Sequence, residues 1–190
     1  MVPGPTDAAY EIVPEPGRTI EVTPPAAVSG LDGYQIAAIV PDASPASVAL
    51  LSAARAVASA NGANLREFPV DEDGADPVGE ALDRALGARP DLIVGLGDGV
   101  VDVFSFESAQ RLDQQFLVVG AQLAEPTDNV TAVVWDGATS RGSAASSDSA
   151  TGSAGELADA STTEDRGEDA FEAGLASIQD GTTGVVLHLG

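Results

Sequence analysis

Three groups of residues in this chain have types and spacings that chemistry uses. The first is Gly95-Leu96-Gly97-Asp98-Gly99, which ends an apolar run and opens a helical pattern. A dinucleotide-binding loop has that context, but it reads G-x-G-x-x-G and seats a pyrophosphate on the helix N-terminus. Here the spacing is G-x-G-x-G, and Asp98 sets a negative charge where the phosphate would lie. A tight turn that demands small residues is the better account. The second group is Asp71-Glu72-Asp73-Gly74-Ala75-Asp76. A calcium loop of the EF type needs an oxygen ligand at its fifth position and Gly at its sixth. This stretch has Ala75 and Asp76 there, so it reads as a solvated turn. The third group is two single residues: His188, the one histidine, and Trp135, the one tryptophan.

Much catalytic machinery is missing from the outset. Cys does not occur, which removes disulfides, thiolate metal sites and a Cys nucleophile. Lys does not occur either, since all eight basic residues are Arg; no P-loop of the G-x-x-x-x-G-K-[ST] form exists. His188 has no His or Cys companion for a metal, and no Ser stands in a G-x-S-x-G elbow. Two-carboxylate chemistry stays open, but with 30 Asp and Glu no chosen pair is informative.

Those 30 acids against eight arginines give a net charge of -22. A surface so acidic cannot neutralise phosphates, which excludes nucleic acid as a partner. It also excludes docking by charge to an anionic membrane surface. The 190 residues are 44% hydrophobic but only 4% aromatic, so a core exists and is built from Ala, Val, Leu and Ile. No apolar run reaches membrane-spanning length.

The elements that must position these residues alternate along the chain. Gln35–Val40 is an apolar run of strand length. Ser44 followed by Pro45 is an N-cap before a first helical residue, and the helix runs to Ala60, where Asn61-Gly62 stops it. Asn64–Val70 is a second strand, whose Pro69 indicates a sheet edge. Asp76-Pro77 starts a second helix that Gly87 ends. Asp91–Gly97 is a buried-type strand. A third helix follows over Val100–Asp113, with Val101, Phe104 and Leu112 turned inward. Gln115–Ala121 and Asn129–Trp135 are the fourth and fifth strands. The connection between them, residues 122–128, is too short for a helix; a parallel fifth strand is preferred. Strand–helix alternation of this kind builds right-handed units on a parallel sheet.

The two flanking regions are of other composition. Residues 1–33 carry six of the twelve prolines (Pro3, Pro5, Pro14, Pro16, Pro24, Pro25) and read as an extended N-terminal arm. Within that arm, Arg18–Thr23 alternates as a short edge strand does. Met1–Asp7 does not have the makeup of a signal peptide. Gly137–Gly167 is rich in Ser, Ala, Gly, Thr and Asp, and reads as a mobile linker with a short helical turn near Gly155–Asp159. Residues 168–190 then supply a closing helix, Glu168–Gln179, and a last strand, Val185–Leu189, that adds at an edge. The expected fold is α/β: a single doubly wound parallel sheet over 34–136, flavodoxin-like, with its five strands in the order 2-1-3-4-5.

Ligands of such sheets sit beyond the carboxyl ends of the strands, where the strand order reverses. Asp42, Ser44, Asp98, Gln122 and Trp135 all fall at that edge and form the expected ligand-binding set. An aromatic there can stack on a ring-shaped ligand, although a cap on the core is the plainer reading of Trp135.

The stretch from Gln35 to about Asp136 also resembles the N-terminal lobe of the basic membrane protein (BMP) family of substrate-binding lipoproteins, of the type 1 periplasmic-binding-protein kind. The matching pieces are Ile36–Val40 with its helix, Leu82–Gly97, the helix holding Ala109, Gln115–Ala121 and Asn129–Trp135. Order and spacing carry the likeness. Of the family's D-x-S-F-N ligand motif, Asp42 and Ser44 have counterparts. The resemblance implies an extracytoplasmic, lipid-anchored or secreted chain whose export signal has been removed, serving an ABC importer; a cytoplasmic location is the alternative. It further implies a small neutral solute such as a nucleoside, and a membrane permease, as partners. The chain has room for one of the family's two lobes, so only weak binding is expected, with no enzymatic activity and no cofactor. The alternatives are a small flavodoxin-like enzyme or regulatory domain, and an assembly module that completes its site by oligomerisation.

Overall fold

The computed structural model describes residues 17–25, 28–71, 73–123, 126–140 and 161–190. The strands are β1 (Thr19–Val22), β2 (Gln35–Val40), β3 (Asn64–Pro69), β4 (Leu92–Leu96), β5 (Gln115–Val119), β6 (Ala121–Gln122), β7 (Val130–Trp135), β8 (Thr139–Ser140) and β9 (Val186–Leu189). The helices are α1 (Pro45–Ala60), α2 (Pro77–Gly87), α3 (Val101–Gln110) and α4 (Glu164–Gln179), with a 3-10 turn at Asp98–Val100 leading into α3. Seven strands form one parallel sheet in the order β1-β9-β7-β5-β4-β2-β3. The expected core order is there as β3-β2-β4-β5-β7, and the fifth strand of that set, β7, does run parallel to β5.

The two faces of the sheet are covered separately, and the central strands are apolar on both. β4 and β7 are buried at every position. That is why they read as continuous apolar runs rather than alternating ones. On one face α1 and α4 pack over Leu92, Val94, Leu117, Val119, Val133 and Trp135. On the other, α2 and α3 cover Ile39, Ile93, Phe116 and Val118, with Phe104 set edge-on to Phe116 at 5.3 Å. Burial of this apolar surface, at roughly 25 cal/mol per Å², is the main term stabilising the layers.

Four expectations are corrected. The last strand is not at an edge: β9 lies between β7 and β1. Its Val186, Leu187 and Leu189 are buried, whereas β1 alternates between exposed and half-buried positions and takes the edge. Leu112 is 67% exposed, because α3 ends at Gln110 and Arg111 leaves helical geometry at φ -132°. The closing helix begins at Glu164, capped by the Thr163 hydroxyl, which accepts from the Arg166 N–H at 3.2 Å. The stretch expected as linker therefore gives its last four residues to α4. Its residues 141–160, including the turn expected near Gly155–Asp159, lie outside the described residues, as do residues 1–16 of the arm.

Candidate functional site

The strand order reverses between β2 and β4. From β2 the chain passes through α1 to β3 on one side; from β4 it passes through α3 to β5 on the other. α1 and α3 cover opposite faces, so the two loops that leave β2 and β4 lead away to opposite sides of the sheet from a common starting point. They meet closely at that point. A β-carbon on Gly99 would lie 2.7 Å from the Pro41 ring, so only glycine lets the loops pack. Gly95 is equally closed: a β-carbon there would run into Val100 and come within 2.9 Å of Phe104. Gly97 has φ +75° and ψ -166°, a conformation that is essentially glycine's alone. Each glycine of the G-x-G-x-G run thus answers a steric demand of this junction, without a phosphate.

Asp42 and Ser44 are brought together on the β2–α1 side. The Ser44 N–H donates to Asp42 Oδ1 at 2.8 Å, and the Ser44 hydroxyl accepts from the Ser47 N–H at 3.2 Å as the α1 N-cap. The Ser44 and Ser47 hydroxyls are 3.1 Å apart. Partial burial pushes the Asp42 carboxyl up, but the hydrogen bonds from Ser44 and Ser47 outweigh it and hold the group below its ordinary value. Asp98 is exposed at the first position of the 3-10 turn, one residue from the Gly99–Pro41 contact. Ser47 joins this group and is buried. The signal for it in the sequence was the S-P-x-S spacing, which places a second hydroxyl in the first turn, three residues after the N-cap.

Gln122 and Trp135 belong to a different part of the same edge, beyond β5 and β7. Gln122 is half-buried in β6, which pairs with β8 in a two-stranded ladder. Trp135 is only 4% exposed and packs in the α1–α4 core; its ring lies 3.3 Å from where a β-carbon on Gly120 would stand. The indole therefore caps the core rather than offering a face for stacking. Among the described residues its Nε1 has no hydrogen-bond partner, and neither has the Thr131 hydroxyl on the same strand.

Two further residues have roles that the sequence did not announce. Asn129 is buried, and its amide points at the carbonyls of Ser108, Arg111 and Gln114 at 2.9–3.1 Å, closing the C-terminal end of α3. Asn129 is thus a structural clamp. His188 is half-buried between two carboxylates, Glu21 at 3.2 Å and Asp136 at 3.5 Å, and ties β1 to the end of β7. Among the described residues no group of three or more His, Asp or Glu side chains is arranged to hold a metal ion, and no helix is long and apolar enough to cross a membrane.

No family model matches the chain, and no curated protein matches its sequence. Among solved structures it is similar to an ABC transporter system solute-binding protein from Aeropyrum pernix K1, at 16% identity and a TM-score of 0.47, over 54% of this chain and 28% of that one. It is also similar to the Cra transcriptional dual regulator from Pseudomonas putida, solved with fructose 1-phosphate, at 15% identity and a TM-score of 0.44. That match covers 82% of this chain and 57% of the regulator. The chain thus spans less than two thirds of either neighbour.

Proposed function

We propose that this chain is a non-enzymatic, solute-binding-like domain of the basic membrane protein type, which accepts a small neutral polar solute, of the nucleoside class, weakly at the carboxyl edge of its sheet. In this proposal it acts outside the cytoplasm beside an ABC importer. One observation carries it: the loops leaving β2 and β4 meet at the reversal of strand order, with Asp42, Ser44 and Asp98 grouped around the Pro41–Gly99 contact. Open parallel sheets take their ligands at such junctions. The chemistry there suits holding rather than turnover. Ser44 caps α1, and Asp42 accepts from its N–H and its hydroxyl as well as from Ser47, so these groups satisfy one another. A neutral solute fits the charge, because an anion must approach against a field of -22.

Affinity follows from shape. Tight small-molecule sites bury most of the ligand between walls, and one lobe offers one wall. Millimolar dissociation constants are expected, about -4 kcal/mol. Calorimetry across a panel of neutral nucleosides and their monophosphates tests the proposal. Weak binding of the neutral members, and none of the phosphates, is the expected result. Preference for the phosphates, or a submicromolar complex with an isolated monomer, would overturn it.

A further inference from the structure

Three of the eight arginines gather at a lateral edge of the sheet, around the edge strand β3 and the C-terminal half of α2. We propose that this groove is a docking site for an extended, carboxylate-rich segment of a partner protein. The groove is open, about 550 Å³, with Arg66, Phe68 and Pro69 on its strand side and Arg84, Gly87 and Ala88 on its helix side. Arg89 follows the lining residues directly. None of Arg66, Arg84 and Arg89 makes an ion pair with a described residue, whereas Arg55 and Arg111 both do.

Two of these guanidinium groups are held in place. Arg84 donates to the Pro69 carbonyl at 2.7 Å and lines the groove. Arg66 lies over the Phe68 ring, 5.1 Å from its centre. The acid in the lining, Glu67, is already neutralised: Arg55 grips both its oxygens at 2.7 and 2.8 Å and holds its carboxyl below the usual range. What the groove presents is therefore paired cations with a delocalised, bidentate geometry suited to carboxylates.

An extended chain fits better than a compact anion because β3 is the terminal strand of the sheet, with one side of its backbone unpaired by any strand among the described residues. A segment laid beside it gains main-chain hydrogen bonds as well as ion pairs. Pro69 has no N–H to offer, and Asp71 and Asp73 follow it, so pairing is confined to Asn64–Phe68. The rest of so acidic a surface repels such a partner, which makes the groove the place where it lands.

The test is fluorescence anisotropy of the full chain with a labelled Val-Glu repeat hexapeptide, its Val-Gln counterpart, and inorganic phosphate as competitor. The Glu peptide should saturate below about 1 mM, and the R66Q/R84Q double variant should weaken it about tenfold or more. Arg89→Gly serves as a second variant, since it removes charge without opposing the local backbone. It should weaken binding about threefold. Amide shifts on β3 and the end of α2 should accompany saturation. No saturation, equal binding of the Gln peptide, undiminished binding by R66Q/R84Q, or full displacement by equimolar phosphate would each overturn the proposal.

Discussion

The junction above β2 and β4 and the groove beside β3 are both lined by polar residues, yet they treat those residues in opposite ways. At the junction nearly every polar group has a task in the chain itself. Ser44 caps a helix, Asp42 orients Ser44, and Gly99 lets two loops touch. In the groove, the guanidinium groups of Arg66 and Arg84 make no ion pair with a described residue and, in the docking proposal, serve a partner. The difference separates polarity that builds the fold from polarity that is left for a partner. It follows that the two regions should respond to substitution very differently.

The largest effect belongs to the junction. Gly95→Val forces methyl groups into Val100 and Phe104, and should lower unfolding free energy by about 3 kcal/mol, read from denaturant midpoints. An effect below about 1 kcal/mol would mean that the packing between β4 and α3 is loose. Ser44→Ala removes the α1 cap and should cost about 1 kcal/mol. Combined with Asp42→Ala it should cost less than the sum of the two, because both act on one turn.

The groove should be tolerant, and in one place improvable. Arg89 stands at φ 52°, the left-handed region, directly before Pro90. Arg89→Gly should raise stability by about 0.5–1 kcal/mol in the same denaturant series. R66Q and R84Q should each stay within about 0.5 kcal/mol of the parent chain. If they unfold it instead, the arginines serve the fold and the contrast between the regions collapses.

The smallest effect is one of pH. The Asp42 carboxyl titrates below its ordinary value in the folded chain, so the ionised form is favoured by folding. Its contribution is present above the ordinary carboxylate range and is lost as pH falls through the folded-state value, below about 4. The stability gap between the parent chain and Asp42→Asn should therefore be widest near neutrality and close on acidification. A gap that is constant from pH 7 to pH 3 would show that Asp42 is not held by Ser44 and Ser47.

Much of the fold was legible because local signals agreed with global ones. Ser44-Pro45 and Asp76-Pro77 both mark true helix starts, with side chains accepting from Ser47 and Gly79. Pro69 marks a true edge. Where the reading failed, a distant contact decided. Asn129 closes α3 from across the chain, which no pattern within the helix reveals, and the helix phase that would bury Leu112 ends early. The cap at Thr163 sits in small polar residues whose composition hides it; its signal is the acidic first turn of Glu164 and Asp165. The positions of the chosen residues in the fold were legible, but not their surroundings. All five chosen residues lie at the carboxyl edge, yet Trp135 is buried there, since its exposure depends on Gly120 and the α1–α4 packing.

The central claim, that the chain holds a neutral solute where the β2 and β4 loops meet, is tested most directly by amide chemical-shift mapping of the full chain during titration with a nucleoside. The predicted result is saturation at millimolar concentrations, with shifts concentrated in residues 41–47 and 97–101. Shifts at the amino ends of the strands, or none up to about 10 mM, would contradict it.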